Sequence, residues 1–439
     1  MKKLFSPFSL KENMLKSSMI VMFLKGIGIL LGYLLTVIIS KKYGPNGLGV
    51  YSIAYTTIIV FSYFSSFGLT SSILRFVGQF SKADQAYERK KLYTYSLKII
   101  FLLSIIFSAI TYVLSNFIAT YIFKDPVFDK TIKAVAFIAP FFTLNLINVE
   151  FLRGLRKITA SEIFRTVLIP LSCSSLILIF EKTTQNIQWP VYALGISVLA
   201  ISICSLILIY FKISKYKKKV HSKLHLKTLL KTSAPMMIIG LSSFFIGNVS
   251  VYILQIFESK YQVGVFALSL KLSLFISFVL IGVNTVIAPK ISELYWSNKK
   301  NDLKKLIQVN TKFIFWLSFI IFLIIILFSR PIINLINDEF IDGVPILIIL
   351  AIGQLINATC GPVGLLLNMT GHESILMKAT FGILILTTIL NIFFVYHYGI
   401  LGAAIATAVS ISLKNLILVL LAKKKLQINP LYIPFINKI

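Results

Sequence analysis

Apolar residues run along this chain in long blocks, separated by short polar stretches rich in lysine. A helix crosses the hydrocarbon of a bilayer in about 20 residues, at about 1.5 Å per residue. Blocks long enough to do so are predicted at 17–40, 48–70, 94–122, 132–151, 163–180, 190–211, 230–256, 263–289, 309–329, 344–368, 376–397 and 399–422. That makes twelve spans. The last two are parted only around His397, Tyr398 and Gly399. Joined, they would overshoot a bilayer, so the pattern is split there.

Lysine and arginine set the orientation. With the N-terminus in the cytoplasm and sides alternating, the inside segments hold 32 Lys and Arg and the outside segments hold 8. Positive charge collects on the cytoplasmic side of membrane proteins. Both termini are therefore expected in the cytoplasm, which requires an even number of spans. The longest outside loop covers about residues 330–343, too short for an extracytoplasmic domain.

Composition narrows the class. Of 439 residues, 57% are hydrophobic and 13% charged, whereas a soluble domain is about 25% charged. An ordinary soluble enzyme is excluded. The net charge of +29 would fit a nucleic-acid binder, but the apolar blocks assign it to cytoplasmic loops, and no nucleic-acid partner is expected. Cys173, Cys204 and Cys360 lie within apolar blocks at irregular spacing and read as buried hydrophobes, with no disulfide framework. The first block is too long for a cleavable signal.

The chain repeats itself at an offset of about 215 residues. Gly49-Val50-Tyr51 opens the second span and Gly264-Val265-Phe266 the eighth; Arg75 maps to Lys290, and Leu152 to Leu367. The loop around Arg156-Lys157 maps to Gly371-His372. The expected fold is an all-α polytopic membrane protein of about twelve helices. Its two six-helix lobes, 1–211 and 230–439, are related by a parallel repeat. A basic cytoplasmic linker, 212–229, joins them and contains Lys217-Lys218-Lys219. Transporters rock such halves about a site near the midplane.

Motifs for energy-driven or metal chemistry are missing. There is no G-x-x-x-x-G-K-[ST] loop and no H-E-x-x-H. His221 and His225 fall in the lysine-rich linker and read as solvated. No metal and no cofactor is expected. Gly28 and Gly32 form a G-x-x-x-G, read as close helix packing. None of the fifteen acidic residues is expected in the middle of a span; Glu150 and Glu162 are read as flanking a cytoplasmic loop. Ion-coupled exporters keep an intramembrane carboxylate, and none is predicted here.

Basic residues behave differently. Lys25, Lys98, Lys271 and Lys414 fall inside spans. Lys98 follows Lys90 and Lys91 closely and can snorkel to the interface. The other three lie roughly 12–13 Å from the nearer span end, given the helical rise. Each costs about 2.5–3.5 kcal/mol near a helix centre. Such placement fits a wet cavity that takes an anion, with snorkelling as the alternative. Polar faces accompany them: Lys25, Gly28, Gly32 and Thr36 on the first span; Thr407, Ser410 and Lys414 on the twelfth; Gln354, Asn357, Gly361 and Asn368 on the tenth. Hydroxyls and amides suit a sugar; they equally suit hydrogen bonds between helices. Pro140, Pro170 and Pro362 lie within spans and are expected to bend them.

Several segments carry a family likeness. The run Gly44-Pro45-Asn46-Gly47-Leu48-Gly49-Val50-Tyr51, the tripeptides Leu152-Arg153-Gly154 and Ser233-Ala234-Pro235, and Val263-Gly264-Val265-Phe266 all contribute. The most specific is Gly399-Ile400-Leu401-Gly402-Ala403-Ala404-Ile405-Ala406-Thr407, which follows Asn391. Together they resemble bacterial polysaccharide exporters of the multidrug/oligosaccharidyl-lipid/polysaccharide superfamily, over roughly 17–422. The resemblance implies a MATE-like fold and an O-antigen (Wzx-type) flippase, not an enzyme. Such a protein moves an undecaprenyl-pyrophosphate-linked oligosaccharide across the cytoplasmic membrane of a bacterium. It works among membrane lipids, with a polysaccharide polymerase and chain-length regulator as possible partners. The family's lateral portal lies between the first and eighth spans. On that basis Lys25, Lys271 and Lys414 would hold the pyrophosphate. Arg75, Arg153 and Lys290 would form a basic cytoplasmic rim, and Gln354 and Asn357 would face the glycan. One departure is Asn248, where the family often has Asp. Two other classes stay open: a drug or small-cation exporter on the same fold, and a membrane glycosyltransferase or polymerase. The first wants an intramembrane carboxylate. The second wants acidic catalytic residues and a large outside loop.

Overall fold

The computed structural model describes residues 7–79, 86–155, 157–180, 186–213, 226–432 and 434. Most of the expected linker at 212–229 lies outside the described residues, and so do Arg156 and both linker histidines. Every regular element among the described residues is helical. The principal helices are α1 (Pro7–Ser66), α2 (Leu69–Gln79), α3 (Ala86–Val113), α4 (Val127–Gly154), α5 (Ile158–Ile179) and α6 (Trp189–Ile213). They are followed by α7 (Leu226–Phe257), α8 (Lys260–Trp296), α9 (Lys300–Leu327), α10 (Gly343–Thr359), α11 (Val363–Met369) and α12 (Glu373–Leu426).

The span count follows from the breaks. Among the described residues, eight helices are long and apolar enough to cross a bilayer. Two of them are double. Gly44 interrupts α1 at φ 62°, ψ −168°, and Gly399 interrupts α12 at φ 53°, ψ −132°. Glycine takes a positive φ at little steric cost, and Pro45 is preorganised to start the helix that follows. Two further spans are bent pairs, by 48° within α7 and by 41° between α10 and α11. Counting the doubled helices twice and each bent pair once gives twelve spans. The split expected around residues 397–399 falls at Gly399.

The structure departs from the apolar pattern at two places. A cytoplasmic loop is expected between the second and third spans, but Leu69–Gln79 forms the amphipathic helix α2. It starts after the left-handed pair Phe67 and Gly68. Its residues Leu69, Ile73, Phe76 and Val77 are buried, a helical period too short to register as a span. The third span, expected at 94–122, instead begins at Ala86 and ends at Val113. A short π-helical turn, Ile118–Ile122, completes the block.

The chain packs as two compact units. The first comprises Met1–Tyr43 and Val50–Leu241; the second comprises Gly44–Gly49 and Ser242–Ile439. In the first, Leu69, Ile73, Leu92, Ile147, Phe151 and Ile209 form the core. In the second, Ile291, Leu303, Ile307, Val363, Leu366 and Leu418 do so. Large apolar side chains also point outward. Phe101, Leu102 and Ile105 on α3, and Ile320, Ile324 and Leu327 on α9, are exposed. In water that would be costly; against lipid tails it is the expected surface.

Candidate functional site

Lys25 belongs to the N-terminal unit, and Lys271 and Lys414 to the C-terminal unit. All three are half-buried. Gly28, one turn beyond Lys25, is buried, and a Cβ there would overlap the Thr166 side chain and carbonyl. This face of α1 therefore packs closely on α5 at Gly28, whereas a Cβ on Gly32 would meet nothing within 4 Å, so the close packing expected of the G-x-x-x-G holds at its first glycine alone. Thr36 on the same face donates to the Gly32 carbonyl at 3.0 Å. On α12, the Thr407 and Ser250 hydroxyls share a hydrogen bond at 2.6 Å. Neither Lys25 nor Lys414 makes an ion pair among the described residues.

Two residues of the expected basic rim have partners that sequence spacing did not assign. Arg153 Nη1 lies 3.8 Å from Glu150 Oε2. Lys290 Nζ donates to Glu293 Oε1 at 2.8 Å, both side chains being exposed. Arg75 sits on α2, and its side chain lies outside the described residues.

The amides of the tenth span join helices within the C-terminal unit. The Ser277 hydroxyl on α8 donates to Gln354 Oε1 on α10. Asn357 Nδ2 reaches the Ser277 hydroxyl and Gln354 Oε1, both at 3.4 Å. Gln354 is only 3% exposed. The expected single face from Gln354 to Asn368 does not form. The helix ends at Thr359, Gly361 takes φ 63°, and Asn368 rides on the separate helix α11. Pro362 sits at this break; Pro170 follows a π-helical turn, Ile163–Val167; Pro140 leaves α4 continuous.

The N-terminal unit holds a half-open cavity of about 340 Å³. One stripe of it comes from the second span, where Tyr55, Ile59, Ser62 and Ser66 recur at helical spacing. A second comes from α4, where Phe142, Leu146 and Glu150 do the same. Arg165, on the π-helical turn of α5, closes it and donates to Glu150 Oε1. A π turn shifts the register of every later side chain, and such turns gather at functional sites. Glu150 and Glu162, read from sequence as loop-flanking, are enclosed. The Glu150 side chain is 12% exposed and Glu162 is 1% exposed. The available signal was the 142–146–150 stripe, which continues an interior face of α4 onto a carboxylate. Among the described residues, no three His, Cys, Asp or Glu side chains gather into a metal-binding group.

The family model described as "Polysaccharide biosynthesis protein" matches residues 14–295, and MatE matches 235–397. The chain is 25% identical over 207 residues to the probable low-salt glycan biosynthesis flippase Agl15 of Haloferax volcanii, covering 47% of this chain and 44% of that protein. It is 22% identical over 310 residues to stage V sporulation protein B of Bacillus subtilis, covering 64% and 59%. The alignments thus span roughly half the length of these curated relatives. Among solved structures, the lipid II flippase MurJ in an inward closed conformation superposes with a TM-score of 0.77 at 15% identity, covering 92% of this chain and 87% of that one. An inward-facing MATE family transporter of the MOP superfamily superposes at 0.72 and 15% identity, covering 93% and 98%. At that identity the likeness speaks for the fold alone, and the fold is the one expected from the sequence. The first family model, by contrast, covers more than half of the 439 residues, and the chain belongs to the polysaccharide biosynthesis protein family.

Proposed function

We propose that this protein is a flippase that translocates an undecaprenyl-pyrophosphate-linked oligosaccharide across the cytoplasmic membrane of a bacterium by alternating access. The observation that carries this reading is the set of half-buried lysines inside apolar spans, Lys25, Lys271 and Lys414. Cations so placed stabilise an anionic group that has left bulk water. The cargo has such a group in its pyrophosphate. Its glycan is polar and crosses through a wet passage, while its tail stays in lipid. Names among the relatives, a glycan biosynthesis flippase and a lipid II flippase, support the same class.

In this proposal the three lysines hold the pyrophosphate, and Arg75, Arg153 and Lys290 gather it at the cytoplasmic face. Gln354 and Asn357 shape the passage from within the C-terminal unit. Both termini are cytoplasmic. The cargo is an O-antigen or other envelope polysaccharide repeat unit, handed on to a polymerase and chain-length regulator. The protein transports and performs no bond chemistry.

A drug exporter on the same fold is the second reading, favoured by the MatE match over residues 235–397. One assay separates the two. Purified protein is reconstituted into liposomes holding a fluorescent undecaprenyl-pyrophosphate-linked sugar, and access of an outer-face quencher is followed. Protein-dependent exchange of the lipid, with no transport of ethidium, is expected. Ethidium transport without lipid exchange would install the exporter reading instead.

A further inference from the structure

The cavity of the N-terminal unit has a chemistry unlike that of the deep lysines. Its walls differ in character. Tyr55 stacks on Tyr51 with ring centroids 6.0 Å apart and meets Phe142 edge-on at 6.4 Å. Ile59 and Leu146 extend this apolar side. The other side is polar, with Ser62, Ser66 and Thr70 and the Glu150–Arg165 pair. Ser62 donates to the Ile58 carbonyl at 2.7 Å and Ser66 to the Tyr63 carbonyl at 3.3 Å. With those protons engaged on their own helix, the two oxygens keep lone pairs to offer.

Charge decides what such a space takes. Among the described residues, the charged side chains lining it are Glu150 and Arg165, which form an ion pair. A free anion would compete with Glu150 for the guanidinium. A free cation would compete with Arg165 for the carboxylate. A neutral polyol meets neither obstacle. Each hydroxyl both donates and accepts, so one ring can give to the carboxylate or a serine oxygen and take from the guanidinium. Arg165 Nε and Glu150 Oε2 are buried and make no hydrogen bond among the described residues, with Arg153 Nη1 3.8 Å from that oxygen; one donor and one acceptor are thus left for a hydroxyl pair to satisfy. The apolar C–H face of a pyranose then lies on Tyr55 and Phe142. A volume of about 340 Å³ is at the small end of ligand sites, which run from about 300 to 1,000 Å³.

We propose that this cavity is a glycosyl subsite, taking a neutral sugar ring of the cargo between its tyrosine wall and its Glu150–Arg165 pair. The proposal rests on the reading that the cargo is a lipid-linked glycan. It adds where the sugar is recognised, apart from the lysines assigned to the pyrophosphate.

The test measures binding to the full-length protein in lipid nanodiscs. Two probes are used: undecaprenyl-pyrophosphoryl-N-acetylglucosamine and undecaprenyl pyrophosphate without sugar. The readout is the ratio of their Kd values. The native protein is expected to prefer the glycosylated lipid. Glu150→Gln should shrink that preference about tenfold, the scale of one hydrogen bond to a charged group. Ser66→Ala, which keeps the ion pair, should shrink it about threefold, as for one neutral hydrogen bond. Lys25→Ala should weaken both probes together and leave the ratio alone. If Glu150→Gln and Ser66→Ala leave the ratio unchanged, the subsite is wrong while the flippase reading stands. If neither lipid binds the native protein, the reading beneath it fails, and the subsite with it.

Discussion

Gly49 and Gly264 meet backbone to backbone. A Cβ on Gly49 would overlap the Lys260 carbonyl oxygen, and a Cβ on Gly264 would overlap the Pro45 carbonyl oxygen. The two glycines are the landmarks that open the second and eighth spans in the sequence repeat. Both lie in the second compact unit, and the obstacle in each case is backbone, which cannot rotate away.

Gly49→Ala and Gly264→Ala should therefore each lower stability by about 1–3 kcal/mol, the usual cost of overpacking. Gly382→Ala is the control, since nothing lies within 4 Å of its Cβ position. Thermal unfolding in detergent reads the difference. Equal melting temperatures for Gly49→Ala and Gly382→Ala would refute the close crossing.

The Ser277–Gln354–Asn357 network predicts a second stability effect. Gln354→Leu removes the acceptor that Ser277 and Asn357 share. A buried polar group left unpaired costs about 1–3 kcal/mol. The melting temperature should fall, and should recover in part in the double variant Gln354→Leu, Ser277→Ala, which withdraws the stranded hydroxyl but leaves half-buried Asn357 without either acceptor. A fall without any recovery would place the role of Gln354 outside this network.

Lys25→Ala, Lys271→Ala and Lys414→Ala should each impair glycan export with the protein still present in the membrane. Arginine should restore export better than glutamine, because positive charge is the proposed role. Complementation at native expression measures this. Normal export by all three alanine variants would end the proposal that cations hold the pyrophosphate.

Topology is checked by reporter fusions. Those at 157, 300 and 427 should read cytoplasmic, and those at 44, 186 and 336 external. A cytoplasmic signal at 336 is incompatible with twelve spans.

The driving force is the last expectation. A pyrophosphate diester carries about two negative charges, and moving each outward across 100 mV, inside negative, gains about 2.3 kcal/mol. The sum, about 4.6 kcal/mol, exceeds a thousandfold in equilibrium at about 1.4 kcal/mol per tenfold. The enclosed carboxylate Glu150 is ion-paired with Arg165, so it adds no net charge to the moving assembly. Flipping in proteoliposomes should follow the sign of a potassium/valinomycin potential at equal pH. Dependence on a proton or sodium gradient alone would show that a coupling group is at work.

Span number, the bias of Lys and Arg, and the breaks at Gly44 and Gly399 were legible in the sequence. Each depends on one dimension only: how long an apolar run is, which side its flanking cations fall on, and where a glycine interrupts it. Lys25, Lys271 and Lys414 were legible for the same reason, as charges inside apolar runs. The partners were not. Glu150 meets Arg165, and Gln354 meets Ser277, across separate helices, and such meetings depend on how each helix is rotated about its axis. The π-helical turn at Ile163–Val167 resets that rotation for α5, a shift that a constant helical period cannot register. The Gly361 break likewise carries Asn368 onto another helix, away from Gln354 and Asn357. An apolar run fixes that a segment enters the membrane; only packing among the helices determines which of its faces are enclosed and which charges meet there.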